Sequence, residues 1–128
     1  MSKWFHSTPS GEGTLDFGLG VAVWLDDIRP MPSGYDVHVK TAWEAIEALQ
    51  TGLVGCISLD NDLGPPEAGE GYDVAKWIEE QAFLGNLPEI CVYCHSANPR
   101  AVINIDAAIL AAKKFWRKEH ERPDYWRP

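Results

Sequence analysis

The chain has 128 residues, of which 45% are hydrophobic and 23% charged, and its formal net charge is −8 at pH 7. This length suits one domain, and the composition is that of a folded globular protein rather than a disordered one. The excess of acidic side chains argues against broad, non-specific binding to extended nucleic acid or to an anionic membrane surface. It still permits one local pocket for an anion.

The cysteine content and the amino-terminal residues indicate the cellular compartment of the protein. Three cysteines are too few and odd in number for a disulfide framework. Cys91 and Cys94 spell C-x-x-C, but residues three apart on a strand point to opposite faces, so a redox pair or zinc half-site is not expected. No export signal and no membrane-length apolar run is evident. We therefore predict a cytoplasmic protein that does not contact a membrane.

The first half of the chain predicts two strands and a helix after an irregular start. Residues 1–19 are rich in Gly, Ser, Thr and Pro and predict an irregular lead-in. The continuous apolar run at 21–25 predicts a buried inner strand, and the more alternating segment 35–39 predicts a strand nearer an edge. Thr41 and Glu44 have the spacing of a capping box, so a helix is expected to begin there.

The second half alternates between strands and helices. The apolar runs at 53–59 and 90–94 predict the third and fourth strands, and an apolar stripe at 74–82 predicts the helix between them. Asn98 is a suitable cap for a last helix, which its apolar spacing carries to Trp116. This order predicts an α/β fold, a parallel sheet with helices on its faces.

We divide the chain into the lead-in at 1–19, one domain at 20–118 and a polar tail at 119–128. In sheets of this kind, ligands bind beyond the carboxyl ends of the strands. The residues that follow the strands are therefore the candidates for function.

Four acidic side chains follow two strands that this topology places side by side. Asp26 and Asp27 end the first apolar run, and Asp60 and Asp62 end the third. Such close like charges repel unless a cation compensates them, and magnesium binds through carboxylates together with a substrate phosphate. If the chain stays extended through Asn61, Asp60 and Asp62 point to the same side. The alternative is that the acids merely cap loops.

The fourth strand runs directly into a helix amino terminus, where free amides favour an anion. Ser96 adds a hydroxyl donor beside the cap Asn98, and His95 is a titratable group within reach of a bound anion. Arg29, just after the first acid pair, could clamp a phosphate with its fork of donors. The alternatives are a structural histidine and a solvated arginine.

These positions resemble the receiver domain of two-component response regulators. The acid pair follows strand one, Asp60 follows strand three like the phosphoacceptor aspartate, and Ser96-Ala97 follows strand four like the usual Thr/Ser-Ala. The sequence departs from receivers because it has no fifth apolar strand ending in Lys-Pro. The sequence also contains four motifs of its own at these positions, which are Leu25-Asp-Asp-Ile-Arg29, Leu59-Asp-Asn-Asp-Leu-Gly64, Gly71-Tyr-Asp-Val and His95-Ser-Ala-Asn-Pro99. Together they resemble the cyclic-phosphate processing receiver domain family, named for an inferred role in RNA repair.

The resemblance implies a receiver-like (flavodoxin-like) sheet of about four parallel strands in the order 2-1-3-4, with helices on both faces and no fifth strand. It also implies metal-dependent hydrolysis of a cyclic phosphate, the 2′,3′-cyclic phosphate of a nucleotide or RNA end. The metal is expected to be Mg²⁺ or Mn²⁺. The predicted metal ligands are Asp26, Asp27, Asp60 and Asp62; the predicted catalytic residues are His95, Asp60 and Ser96; and the predicted phosphate-binding residues are Ser96, Asn98 and Arg29.

In this mechanism His95 protonates the departing ribose oxygen. Two other functions stay open. Asp60 could accept a phosphoryl group in signalling, although the missing fifth-strand lysine argues against this. Alternatively, the pocket could bind a nucleotide or a protein without catalysis. The expected partner is a small phosphate-containing substrate or an RNA terminus, not an extended duplex or a membrane.

Overall fold

The computed structural model describes residues 20–121, with side chains to residue 118. Its elements are β1 (Val21–Leu25), β2 (Val37–Val39), α1 (Ala42–Leu49), β3 (Val54–Leu59), α2 (Gly71–Leu84), β4 (Cys91–Cys94) and α3 (Pro99–Glu121). The strands form one sheet in the order β2-β1-β3-β4, and every neighbouring pair is parallel. The predicted receiver-like sheet and its strand order are confirmed.

The two terminal segments predicted from the sequence lie largely outside the described residues. The lead-in at 1–19 lies outside the described residues. The backbone of α3 continues to Glu121, so the helix enters the range assigned to the polar tail, and the remainder of that tail lies outside the description. Among the described residues, no helix is both long and apolar enough to cross a membrane.

The capping box is formed as its spacing indicates. The backbone N–H of Glu44 donates to Oγ1 of Thr41 at 3.1 Å, and the Glu44 carboxylate accepts from the Thr41 N–H at 3.2 Å. Two free amides of the first turn are thereby satisfied, so α1 begins directly after β2.

The three helices share one face of the sheet. The connections from β2 to β3 and from β3 to β4 advance in the same direction across the strand order, so right-handed crossovers place α1 and α2 on the same side. The third helix packs against α2. The link from β1 to β2 is a loop, and helices on the second face are not seen within residues 20–121. The core residues include Val23, Leu25, Val39, Leu49, Ile57, Leu59, Val74, Ile78, Ile105 and Ile109.

The opposite face of the sheet carries the row of side chains that leads to the candidate site. The strand register pairs Trp24 of β1 with Ser58 of β3, and both are buried. Because side chains alternate along a strand, Asp26 and Asp60 continue this row just beyond the strand ends. The parallel register therefore brings these two carboxylates together at the carboxyl edge.

Candidate metal and phosphate site

Asp26 is a buried carboxylate whose charge is stabilised by its own loop. The residue is 1% exposed, and Oδ1 accepts the backbone N–H groups of Ile28 and Arg29, both at 2.8 Å. Burial by itself raises the pKa of Asp26, but these two backbone donors and His95 outweigh it and hold the pKa below its ordinary value. Asp26 is thus an anion at neutral pH, and its Oδ2 faces the site.

Asp60 is the second buried carboxylate, at 8% exposure. Its Oδ1 accepts the backbone N–H of Asn61 at 2.9 Å. Burial raises the pKa of Asp60, and the negative charge of Asp26 raises it further. Two neighbouring carboxylates in this environment repel each other, which is the electrostatic condition that a bound cation relieves.

His95 lies between these acids and the sheet. Its Nε2 is 3.0 Å from Oδ2 of Asp26, and its Nδ1 is 2.8 Å from Oγ of Ser58. The imidazole stacks on the Trp24 indole, with ring centroids 3.8 Å apart and planes inclined by 6°. Burial lowers the pKa of His95, and the adjacent Asp26 carboxylate partly opposes this effect. The ring is therefore held in one orientation by protein contacts.

Asp26, Asp60 and His95 each direct one donor atom into a common space. These three atoms lie within 4.8 Å of one another, an arrangement that can hold a metal ion. Two carboxylate oxygens and one imidazole nitrogen fit a divalent cation. Of the residues predicted from sequence, the fold brings Asp26, Asp60 and His95 into this cluster.

Arg29 closes the site from the loop after β1. Its Nη1 donates to the His95 carbonyl oxygen at 2.8 Å and lies 3.7 Å from Oδ2 of Asp26. The side chain is 46% exposed, so the guanidinium keeps donors facing solvent. This position is compatible with the predicted role of Arg29 in phosphate binding, which stays a prediction.

Ser96 and Asn98 lie at the start of α3, as expected. The Asn98 side chain accepts the N–H of Ala101 at 3.2 Å, and Ser96 Oγ accepts the N–H of Asn98 at 3.1 Å. The Ser96 oxygen is an acceptor in this contact, so its own hydroxyl hydrogen is available to an anion. The predicted contacts of both residues with phosphate stay predictions.

A comparison with known families bears directly on this geometry. The family model of the cyclic-phosphate processing receiver domain matches residues 21–111, more than half of the chain. The chain belongs to this family. No curated protein and no solved structure matches it. The matched span contains Asp26, Asp60 and His95, so the cluster lies within the cyclic-phosphate processing receiver domain.

Two of the predicted ligands of this receiver domain lie outside the cluster. Oδ1 of Asp27 is buried and has no hydrogen-bond partner, and the other carboxylate oxygen lies beside Gly64. Asp62 is exposed and accepts Nδ2 of Asn61 at 3.2 Å, and its backbone bridges to Glu70. The chain bends at Asn61, and Asp62 is therefore exposed. Metal ligation by Asp27 and Asp62 stays a prediction.

The Asn61 contacts show why the receiver domain places Asn between two aspartates. Asn61 is buried, its side-chain oxygen accepts the N–H of Tyr72 at 3.0 Å, and its carbonyl accepts the N–H of Gly71 at 3.1 Å. A Cβ at Gly71 would collide with the carbonyl oxygen of Asp60. The motifs at 59–64 and 71–74 are therefore one packed unit that positions Asp60. We assigned Asn61 no role from sequence.

Three further residues that support the cluster were not predicted from the sequence. Nε2 of His38 lies 2.7 Å from the carbonyl oxygen of Asp26. Ser58 and Trp24 fix the His95 ring. Trp24 lies two residues before Asp26, and Ser58 lies two residues before Asp60, so each pair shares one face of the sheet. This spacing could have indicated Trp24 and Ser58 once the two strands were paired.

Replacing Asn61 with alanine is expected to destabilise the receiver domain by about 2 kcal/mol, because the part-buried N–H of Tyr72 loses its acceptor. Urea unfolding of the metal-free chain measures this loss. Asn86→Ala is the matched control, since Asn86 is exposed and bonds only locally to Gln81. Equal stability of the two variants would contradict the role given to Asn61.

Proposed function

We propose that this protein hydrolyses the 2′,3′-cyclic phosphate of a nucleotide or of an RNA end in a metal-dependent reaction. The observation that carries the proposal is the convergence of Asp26, Asp60 and His95 at the carboxyl edge of the sheet. Membership of the cyclic-phosphate processing family supports a role in the same chemistry. In the reaction, water adds across one P–O bond of the ring, so that a phosphomonoester and a free ribose hydroxyl form.

The roles of the side chains follow from their charges and positions. Asp26 and Asp60 would hold a divalent cation, and Asp27 has a buried oxygen available for the same purpose. Such a cation, when bound, supplies polarisation of a phosphoryl oxygen and lowers the pKa of water. Arg29 places a guanidinium beside the cluster, where its outward donors suit phosphate oxygens.

The start of α3 contributes the second part of the phosphate site. The hydroxyl of Ser96 and the backbone N–H of Arg100 are donors at the positive end of a helix dipole, whereas Pro99 has no N–H and the N–H of Ala101 is bonded to Asn98. They follow His95 directly in the chain, so they approach the substrate from the β4 side. The substrate phosphate would then lie between the cation and the helix.

The partner and the compartment are also proposals. A small cyclic phosphate or an RNA terminus fits a local site, whereas a chain of net charge −8 disfavours an extended duplex. All three cysteines carry free thiols, which supports a reducing cytoplasm.

Removal of the metal tests the proposal directly. We expect the chelated protein to hydrolyse 2′,3′-cyclic nucleotides at the uncatalysed rate, and an added divalent ion to restore turnover. Product formation is followed by chromatography, with a 3′,5′-cyclic nucleotide as the control substrate. Turnover that survives complete chelation, or no turnover with any 2′,3′-cyclic nucleotide in the presence of metal, would contradict the proposal.

The phosphoacceptor alternative is separated by mass spectrometry. Asp60 follows β3 as the acceptor aspartate does in receivers, so acetyl phosphate is the appropriate donor. A stable adduct on Asp60, seen by intact mass, would favour signalling over hydrolysis. The proposed hydrolase is expected to give no such adduct.

A further inference from the structure

The imidazole of His95 is held on both edges and on one face. Nε2 lies 3.0 Å from Asp26, Nδ1 lies 2.8 Å from Ser58, and the ring stacks on Trp24 at 3.8 Å. A ring held at both nitrogens is poorly placed to deliver a proton to a leaving group. It is well placed to present one nitrogen to an ion between the carboxylates.

Ser58 provides the hydrogen-bond acceptor that a metal-binding histidine needs at its Nδ1 atom. When Nε2 binds a metal, Nδ1 carries the proton and requires an acceptor. A serine hydroxyl both donates and accepts, and Ser58 also hydrogen-bonds the side chain of Tyr35. Ser58 can therefore donate to Tyr35 and accept from Nδ1 of His95. This arrangement leaves the Nε2 lone pair directed at the acids.

The spacing of the donor atoms matches a shared ion. Donors bound at right angles, each about 2.1 Å from one ion, lie about 3.0 Å apart. The Nε2 atom of His95 and Oδ2 of Asp26 have this separation, and Asp60 offers a carboxylate oxygen within 4.8 Å of one donor atom of each of these two residues. The side chains would need little rearrangement to receive the ion.

The local charge also calls for a cation. Asp26 and Asp60 are two buried carboxylates, while the guanidinium that pairs with Asp26, that of Arg29, is 46% exposed. One half-solvated positive charge does not offset two buried negative ones. A divalent ion would bring the cluster close to neutrality.

From these contacts we propose that the cluster selects a first-row transition ion over magnesium, with Nε2 of His95 as a ligand and Ser58 holding the ring. The inference rests on the metal dependence proposed above. Magnesium takes oxygen donors and keeps much of its water, whereas first-row transition ions readily accept imidazole. His95 is accordingly a metal ligand rather than the proton donor expected from its residue chemistry.

The test compares Co²⁺ with Mg²⁺ on the metal-free chain. Calorimetry is expected to give a Kd for Co²⁺ at least about tenfold below that for Mg²⁺. His95→Ala should raise the Kd for Co²⁺ about tenfold or more, and Ser58→Ala about tenfold, with changes below about threefold for Mg²⁺. His120→Gln is the control histidine variant, because His120 lies outside the residues that the family model matches.

A spectroscopic readout identifies the nitrogen ligand without any variant. Proton NMR of the wild-type Co²⁺ complex should show a strongly shifted, exchangeable imidazole N–H, which His120→Gln retains and a folded His95→Ala loses. Equal affinity for the two ions, or a Co²⁺ complex without this signal, would overturn the inference.

Different experimental results would contradict this inference and the proposed function. Metal-dependent hydrolysis by a site that binds Mg²⁺ as tightly as Co²⁺ would leave the function standing and overturn nitrogen ligation. A Co²⁺ complex with the shifted imidazole signal but no turnover of any 2′,3′-cyclic nucleotide would support nitrogen ligation and overturn the hydrolase.

Discussion

Replacing Asp60 with asparagine is expected to lower metal-dependent hydrolysis by about a hundredfold or more while making the metal-free protein more stable. Activity falls because a carboxylate ligand is lost. Stability rises because burial and the charge of Asp26 disfavour the Asp60 anion, as the raised pKa indicates. Asparagine keeps an oxygen for the N–H of Asn61, so the local turn is preserved.

The pH dependence of this gain has a definite sign. The folded-state pKa of Asp60 lies above its ordinary value of 3.8, so the wild-type protein loses stability as the pH rises through that folded-state pKa. The variant has no such group. Its advantage is therefore expected at neutral pH and should disappear in acid, where the carboxyl is protonated in both the folded and the unfolded states.

Urea unfolding with and without metal, beside turnover of a 2′,3′-cyclic nucleotide, measures both effects. Asp106→Asn is the matched control, because it makes the same change at an exposed position on α3. An Asp60→Asn protein that is less stable than wild type without metal, but fully active with metal, would contradict the metal site. It would favour the simpler view that Asp60 only caps a loop.

Replacing Gly71 with alanine is expected to destabilise the fold by about 3 kcal/mol and to weaken metal binding. The first residue of α2 lies against the backbone of Asp60, and the new methyl group would collide with its carbonyl oxygen and with Asn61. The collision involves backbone atoms, so side-chain rotation cannot relieve it. The resulting displacement is expected to change the position of the Asp60 carboxylate relative to Asp26.

Gly52→Ala separates this effect from the general consequences of removing a glycine. Gly52 has a positive φ of 76°, but a Cβ there meets no atom within 4 Å. We expect this control to lose about 1–2 kcal/mol through backbone strain and to bind metal as the wild type does. Urea unfolding and calorimetry measure the two quantities. A Gly71→Ala protein with wild-type stability and metal affinity would contradict the coupling of α2 to Asp60.

The strands and helices were predictable because their signals are local. A continuous apolar run marks β1, and the Thr41–Glu44 spacing marks the start of α1. The parallel connections then place Asp26 and Asp60 at one edge without further information. The helices lie on one face because the link from β1 to β2 contains no helix, and the connections that contain α1 and α2 advance in the same direction across the sheet.

Part of the acidic charge behind the net value of −8 lies at the candidate site in the folded protein. Four acids after two strands suggested one shared site, but the structure gathers only Asp26 and Asp60 with His95 among the described residues. Asp62 is turned outward because the chain bends at Asn61, which bonds to the start of α2. Such a bend depends on contacts between segments about ten residues apart, so the spacing of the acids could not predict it.

The residue types that follow each strand, and hence the kind of chemistry, could be inferred from the sequence alone. The family could be inferred in the same way, because its motifs occur in order along one chain. Which atoms meet was decided by the tertiary structure. Only the parallel register places Ser58 and Trp24 against His95 and directs Nε2 of that ring toward Asp26, because these contacts join three strands that are distant in sequence.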